Sequence, residues 1–323
     1  MENPLDHGFN ENLELSKVAA RHASNVHAMC SDVAAIIFPK AMNPPSEATI
    51  NNVSAKLIQL VSDLEAKLHS ASNSHVSKTW GVLASSGFLR EADLIDFTLA
   101  RTAEERLEAS LATPMATLAT KLLDHSDGNI ADAAQTLLAA ESLHKFGAGS
   151  SFLGLSPELL HKLCWRIVAA VEVTEGGRNP EIISSTKLLI SQYSEADRAL
   201  DAARKIVHFS SNAEVKDFFR PEVSGLCLHV AALSAQLELD YDHVLHLLNA
   251  SSPAPYALML AACDIAKDQA IRNILLFYGD RISSHDFGVF EAGYGEITRE
   301  DALEEIAFWA SERSQYLASG KAG

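Results

Sequence analysis

The chain has 323 residues, is 47% hydrophobic, and carries a formal net charge of −16 with a pI near 5.2. That is enough apolar side chain for one large core or two smaller ones. The acidic balance repels nucleic-acid phosphates and anionic lipid, so neither nucleic acid nor a membrane is expected as a partner.

Taken in chain order, the opening MENPLDHGFNENLE has no basic region followed by an apolar run, and no secretory signal is expected. No uncharged apolar run reaches the ~18 residues of a spanning helix, so a cytoplasmic location is expected. Pro39, Pro44 and Pro45 close one helix and precede Ser46, a cap for the next. In VSAKLIQLVSDLEAKL, the residues Val53, Leu57, Leu60, Val61, Leu64 and Leu68 recur at spacings of three and four, the period of an amphipathic helix. Leu94, Phe97, Leu99, Leu107 and Leu111 alternate with a charged face in the same way.

Thr113-Pro114, Ser156-Pro157, Asn179-Pro180 and Ser252-Pro253 each place a capping-type residue before a proline. Proline at the first helical position costs nothing, because its missing N–H would be unpaired there anyway. The glycines of 147–154 read as a helix stop, and Ser156-Pro157-Glu158 as a helix start. Leu159, Leu160, Leu163, Cys164 and Ile167 form the apolar side of that second helix. Arg198, Arg204 and Lys205, the densest basic cluster, are interleaved with Glu195, Asp197 and Asp201 and read as a solvated helix face. The break at 279–295, in RISSHDFGVFEAGYGE, is glycine-rich and aromatic and reads as irregular. Beyond it Thr298 and Asp301 open a final amphipathic helix with Leu303, Ile306, Ala307, Trp309 and Ala310 on its apolar side. The closing SGKAG is expected to fray.

These elements predict an all-α fold of about fourteen mostly short helices, packed as antiparallel pairs in a repeat-like, solenoid-like array. No fixed repeat period is present. The expected organisation is an N-terminal helical lobe over 1–146, a Gly/Ser-rich hinge over 147–155, a C-terminal lobe over 156–280, and the aromatic segment with an acidic last helix over 281–323.

Candidate chemistry is sparse. Glu141/His144 and Glu158/His161 share the Glu-x-x-His spacing of di-metal carboxylate bundles. With 24 glutamates and 13 histidines in 323 residues, about one such spacing arises by chance. Both pairs also flank a single loop, whereas such bundles separate them by a whole helix. His243 and His246 lie beside Asp240 and Asp242, where a helix capped by Asp240 explains them; His22 and His27 are poorly spaced for a metal. GAGSSFLGLSPE leads into a helix N-terminus but lacks either phosphate-loop motif and any strand to carry one. Asp286-Phe287-Gly288 has no accompanying kinase motif. The four cysteines, Cys30, Cys164, Cys227 and Cys263, are dispersed in apolar contexts and read as buried, reduced thiols. No catalytic, cofactor-binding or metal-binding residue is assigned, and an enzyme is not expected. The one phosphoacceptor alternative is His144, in SLHKFGAGSS. It has a faint likeness to histidine phosphotransfer domains, although Lys145 stands one position too early.

Residues 239–280 and 75–107 share a pattern: a short helix, a Ser/Pro break, a helix of small and apolar residues, then a helix of Ile/Leu with Arg. With LSPELLHKLCWRIVAA at 155–170, this resembles the alphaproteobacterial helical family known as domain of unknown function 2336. The resemblance implies a helical cytosolic bacterial protein, with no activity or catalytic residue to carry over. The function expected is a non-catalytic protein-interaction or regulatory scaffold with a protein partner, the segment 279–295 being a candidate docking region. The alternatives are a small-molecule or lipid-binding helical protein, or a phosphotransfer-like protein acting through His144.

Overall fold

A computed structural model describes residues 17–19, 47–69, 76–111, 117–145, 151–152, 154–193, 199–279 and 281–320. Among them the chain is an all-α multi-helix array with no strand. Among the described residues fourteen helices have seven residues or more, close to the number the periodicity predicts. None of the described helices is long and apolar enough to cross a membrane.

The chain divides into two compact units, each assembled from separated segments. One draws on residues 103–135 and 203–323, the other on 30–102 and 136–202. The division differs from the lobes expected on either side of 147–155. Its reason is packing: helix contacts join segments before and after that stretch into one unit.

That second unit contains α1 (Glu47–Leu68), α2 (Val76–Ser85), a 3-10 turn (Phe88–Arg90), the first half of α3 (Ala92–Ser110), the end of α5 (Gly128–Lys145), α6 (Pro157–Glu175) and α7 (Pro180–Gln192). Helix α6 packs on α2 and α7, and α1 contacts all three. The predicted stripe of α1, Val53, Leu57, Leu60, Val61, Leu64 and Leu68, is buried throughout. So is the predicted side of α6: Leu159, Leu160, Leu163, Cys164 and Ile167.

Caps set two of the ends as the sequence implies, whereas at Ser252-Pro253 the proline itself takes the N-cap position and the helix begins at Ala254. Ser156 Oγ accepts from the Leu159 amide at 3.2 Å ahead of Pro157, and α6 closes on Gly176, whose φ of 73° is the left-handed conformation glycine adopts without steric cost. Asn179 Oδ1 accepts from the amides of Glu181 and Ile182. Asn179→Ala is expected to cost about 1 kcal/mol, measured as a shift in the urea midpoint at unchanged slope. The glycine stop at 147–149 and the Thr113-Pro114 start lie outside the described residues.

The first unit holds α4 (Thr117–Leu122), most of α8 (Ala199–Phe209), α9 (Asn212–Phe218), α10 (Pro221–Ser224), α11 (Leu226–Leu237), α12 (Tyr241–Leu248), α13 (Ala254–Ala262), α14 (Lys267–Tyr278), α15 (Ser284–Gly293) and α16 (Arg299–Gly320). Two of these are core helices. All nine residues of α13 are buried, and ten of the twelve in α11. A helix apolar on every side finds its minimum only when surrounded by others, and α13 contacts α11, α12, α14 and α16.

Two expectations change here. The glycine-rich segment 279–295 is not irregular: 284–293 is helix α15. Its aromatics recur at three and four residues, so they turn inward. Phe290 is fully buried, stacks edge-on with Tyr294 at 5.3 Å, and lies 6.2 Å from Phe287. On α16 the buried seam is Ala302, Ile306 and Trp309, while Ala307 is exposed. The spacing of four and three residues selects that line.

Candidate functional site

Helix α9 ends inside the core. Phe218 and Phe219 are buried, so the carbonyls that a helix end leaves without intrahelical donors cannot reach water. Three side chains meet them. His229 Nδ1 donates to the Phe218 carbonyl at 3.0 Å, Ser224 Oγ to the same oxygen at 3.0 Å, and Asn273 Nδ2 to the Phe219 carbonyl at 2.8 Å. Tyr256 donates its hydroxyl to His229 Nε2 at 2.8 Å, and Asn273 also hydrogen-bonds the phenol. Gln269 Nε2 donates to Asn273 Oδ1 at 2.6 Å.

This network determines the chemistry of His229. A carbonyl only accepts, so Nδ1 carries the proton and Nε2 is the acceptor: the ring is neutral with one tautomer selected. Burial holds its pKa down to about 4, against a smaller upward pull from the Phe218 carbonyl. Burial likewise raises Tyr256 well above the usual phenol. His229, Tyr256 and Asn273 expose none of their surface. With both ring nitrogens committed and no access for substrate, this His–Tyr pair ties α9, α11, α13 and α14 together rather than moving protons.

Other carbonyls at helix ends and in the adjoining connections are closed in the same way. Tyr278 donates to the Leu248 carbonyl, Tyr294 to Ile265, and Arg299 to Ala262 at the end of α13. In the second unit, Tyr193 donates to Leu155.

Near the surface of the first unit, Ser211, Glu214 and His125 form a second cluster. Glu214 Oε2 accepts from the Ser211 amide at 2.7 Å and hydroxyl at 2.6 Å, while His125 Nε2 donates to Oε1 at 2.7 Å. The Ser211 hydroxyl, its amide and then His125 hold the Glu214 carboxyl down to about 2. The three residue types match a hydrolase triad, but the arrangement does not. The serine hydroxyl bonds the carboxylate rather than the imidazole, and His125 Nδ1, the nitrogen left to act as base, accepts from the Asp127 amide at 3.0 Å. The cluster is a capping box at the start of α9 with His125 fastened to it.

The residues singled out from sequence are placed as follows. His161 is exposed and accepts from Trp165 Nε1 at 3.1 Å; Glu158 is exposed one turn away. His144 lies in helix α5, but its side chain is outside the described residues, as are His22, His27 and Cys30. His243 and His246 are buried on α12, and Asp240 sits at its N-cap position with no side-chain hydrogen bond into the helix. Cys164 and Cys227 are buried and Cys263 is partly so. Burial pushes the thiols of Cys164 and Cys263 up to about 12, far from a nucleophilic thiolate at neutral pH. No group of three His, Cys, Asp or Glu among the described residues could hold a metal ion.

What remains accessible is helical surface. On α6, His161, Trp165, Ala169 and Val173 follow one another at four-residue steps along the outer side. Val173 is 68% exposed, and Leu188, on α7 of the same helical hairpin, is 56% exposed. These are large apolar side chains left in water where polar ones would cost nothing. The periodicity that flagged the core of α6 did not flag this opposite stripe, because single apolar residues on a polar face look like noise.

No family model, curated protein or solved structure matches the chain.

Proposed function

We propose that the protein is a non-catalytic interaction scaffold of the cytoplasm, engaging a protein partner through the outer side of the α6–α7 hairpin. The reading includes kinship with the helical family of domain of unknown function 2336. The observation that carries it is the exposure of Val173 and Leu188 on one hairpin, beside the Trp165–His161 pair. Partner contacts favour such half-buried aromatics and apolar side chains ringed by polar ones. The rigid interior supports the same reading: a core whose buried polar groups are spent on helix ends holds a surface in one shape, which lowers the cost of binding.

The test is affinity capture from the native host with the wild type and with Val173→Asp/Leu188→Asp. Both side chains are exposed, so the double variant is expected to keep the wild-type unfolding midpoint. A specific partner is expected with the wild type and at least about tenfold less with the variant. Capture of the same proteins in the same amounts by both would sink the proposal.

A further inference from the structure

A pair of arginines in the first unit stands apart from the others. Arg281 lies 4.8 Å from the centre of the Tyr278 ring and donates Nη2 to the Phe277 carbonyl at 2.7 Å. The Tyr278 hydroxyl, at the other end of that ring, is fixed on the Leu248 carbonyl at 2.5 Å. The next residue, Asn249, accepts from Arg106 Nη1 at 3.4 Å. One aromatic ring and the Leu248–Asn249 dipeptide therefore link the guanidinium group of Arg106, on α3, to that of Arg281, at the start of the α14–α15 connection.

Neither guanidinium has a carboxylate partner among the described residues, although the chain carries 42 acidic side chains against 26 lysines and arginines. On α3, the neighbours of Arg106 at three and four residues are Thr102, Ala103, Ala109 and Ser110, none of them acidic. Other arginines differ: Arg220 meets Asp217 and Glu222, and Arg299 closes a helix end. Arg281 is also electrostatically uncomfortable. Burial lowers its pKa first and the charge of Arg106 second, with the Tyr278 phenol acting in the other direction. Two like charges that act on each other with no counter-charge among the described residues cost stability, and that cost is recovered when an anion binds both.

We infer that Arg106, Arg281 and Asn249 form a receptor for a dianionic phosphoryl group, carried by a small phosphomonoester or by inorganic phosphate. Nε and Nη1 of Arg281 and Nε and Nη2 of Arg106 have no acceptor among the described residues, so each arginine retains a pair of donors matched to two phosphate oxygens. The Asn249 amide adds a neutral donor. Arg281 is pre-set by its stacking on Tyr278 and its bond to Phe277, which reduces the ordering cost on binding. Arg106 is exposed and so open to an anion from solvent. The two positive charges match a dianion, so a monoanion such as acetate gains less. This receptor is independent of the α6–α7 partner surface, and Val173→Asp leaves it intact.

The probe is inorganic phosphate titrated at neutral pH against sodium chloride and sodium acetate of equal ionic strength, read by unfolding midpoint and by calorimetry. Phosphate is expected to raise the midpoint and to bind at least about tenfold more tightly than acetate. A parallel titration with glycerol 3-phosphate separates the sources. Tighter binding of the ester assigns a phosphomonoester ligand, and tighter binding of phosphate assigns the free ion. Arg106→Gln, at an exposed position that leaves folding intact, and Arg281→Lys, which keeps charge but loses the fork, are each expected to weaken phosphate binding about tenfold or more. Equal midpoints in phosphate and chloride, equal affinity for acetate, or an unchanged phosphate response in Arg106→Gln would overturn the receptor.

Discussion

Replacing His229 by alanine is expected to destabilise the fold by about 4 kcal/mol and to flatten its stability between pH 6.5 and pH 4. The first effect follows from what the ring holds. Its removal leaves the Tyr256 hydroxyl without its acceptor and deprives the buried Phe218 carbonyl of one donor, each at about 1–3 kcal/mol, and opens a cavity where the ring packed between Tyr256 and Phe277. The second follows from linkage. The folded imidazole stays neutral down to about pH 4, whereas its ordinary pKa is 6.5. As pH falls from 6.5, the unfolded chain takes up a proton that the folded chain refuses. The stability this group contributes is therefore full above pH 6.5 and is lost progressively as pH falls toward 4. The shift corresponds to a loss on the order of 3 kcal/mol.

Glu214 acts lower on the scale. Its folded pKa of about 2 lies below the ordinary 4.5, so its contribution is present above pH 4.5 and disappears between 4.5 and 2. Urea denaturation across pH, for wild type and His229→Ala, separates the two. The variant is expected to lose the upper slope and keep the lower one. A variant that retains the full slope between pH 6.5 and 4 would show that another group titrates there.

Trp309→Ala is expected to cost a further 3–5 kcal/mol, roughly the range for deleting a buried indole. Trp309 is fully buried on α16 and donates Nε1 to Glu305 one turn earlier at 2.9 Å. With Ala302 and Ile306 it forms the seam of α16, and the packing of α16 on α13 is the most extensive helix–helix contact among the described helices. Hydrogen exchange is expected to show α16 losing protection most, followed by α13, whose surface it covers. A Phe308→Ala control, at a side chain 56% exposed, is expected to change stability by less than about 0.5 kcal/mol. Similar effects from both substitutions would mean that the seam is misplaced.

Most of the helices were legible from their residues. The stripes of α1 and α6, the Ser156 and Asn179 caps and the all-α class rest on local physics. A helix must hide one side, and its end must find acceptors and donors within a few residues. The family resemblance and the interaction role rest on pattern and remain proposals. The segment 279–295 misled for a physical reason: its four glycines lower helix propensity, yet Phe287, Phe290 and Tyr294 gain more by turning inward than those glycines cost. The division into units was also illegible, because a break in periodicity marks a loop without saying which helices pack across it.

The candidate sites show the same boundary more sharply. His229 and Tyr256 are 27 residues apart, and His125 and Glu214 are 89 apart. No spacing rule connects them, since each pair is made by helices packing and not by a helix turning. Arg106 and Arg281 are linked through Asn249, Leu248 and the Tyr278 ring. The sequence by itself determined where helices start and stop and which sides they bury, because those follow from forces acting within about one turn. Only packing decides which histidines are sealed and which arginines have no acidic partner among the described residues. Those properties depend on desolvation and on charge neighbours that chain order does not contain.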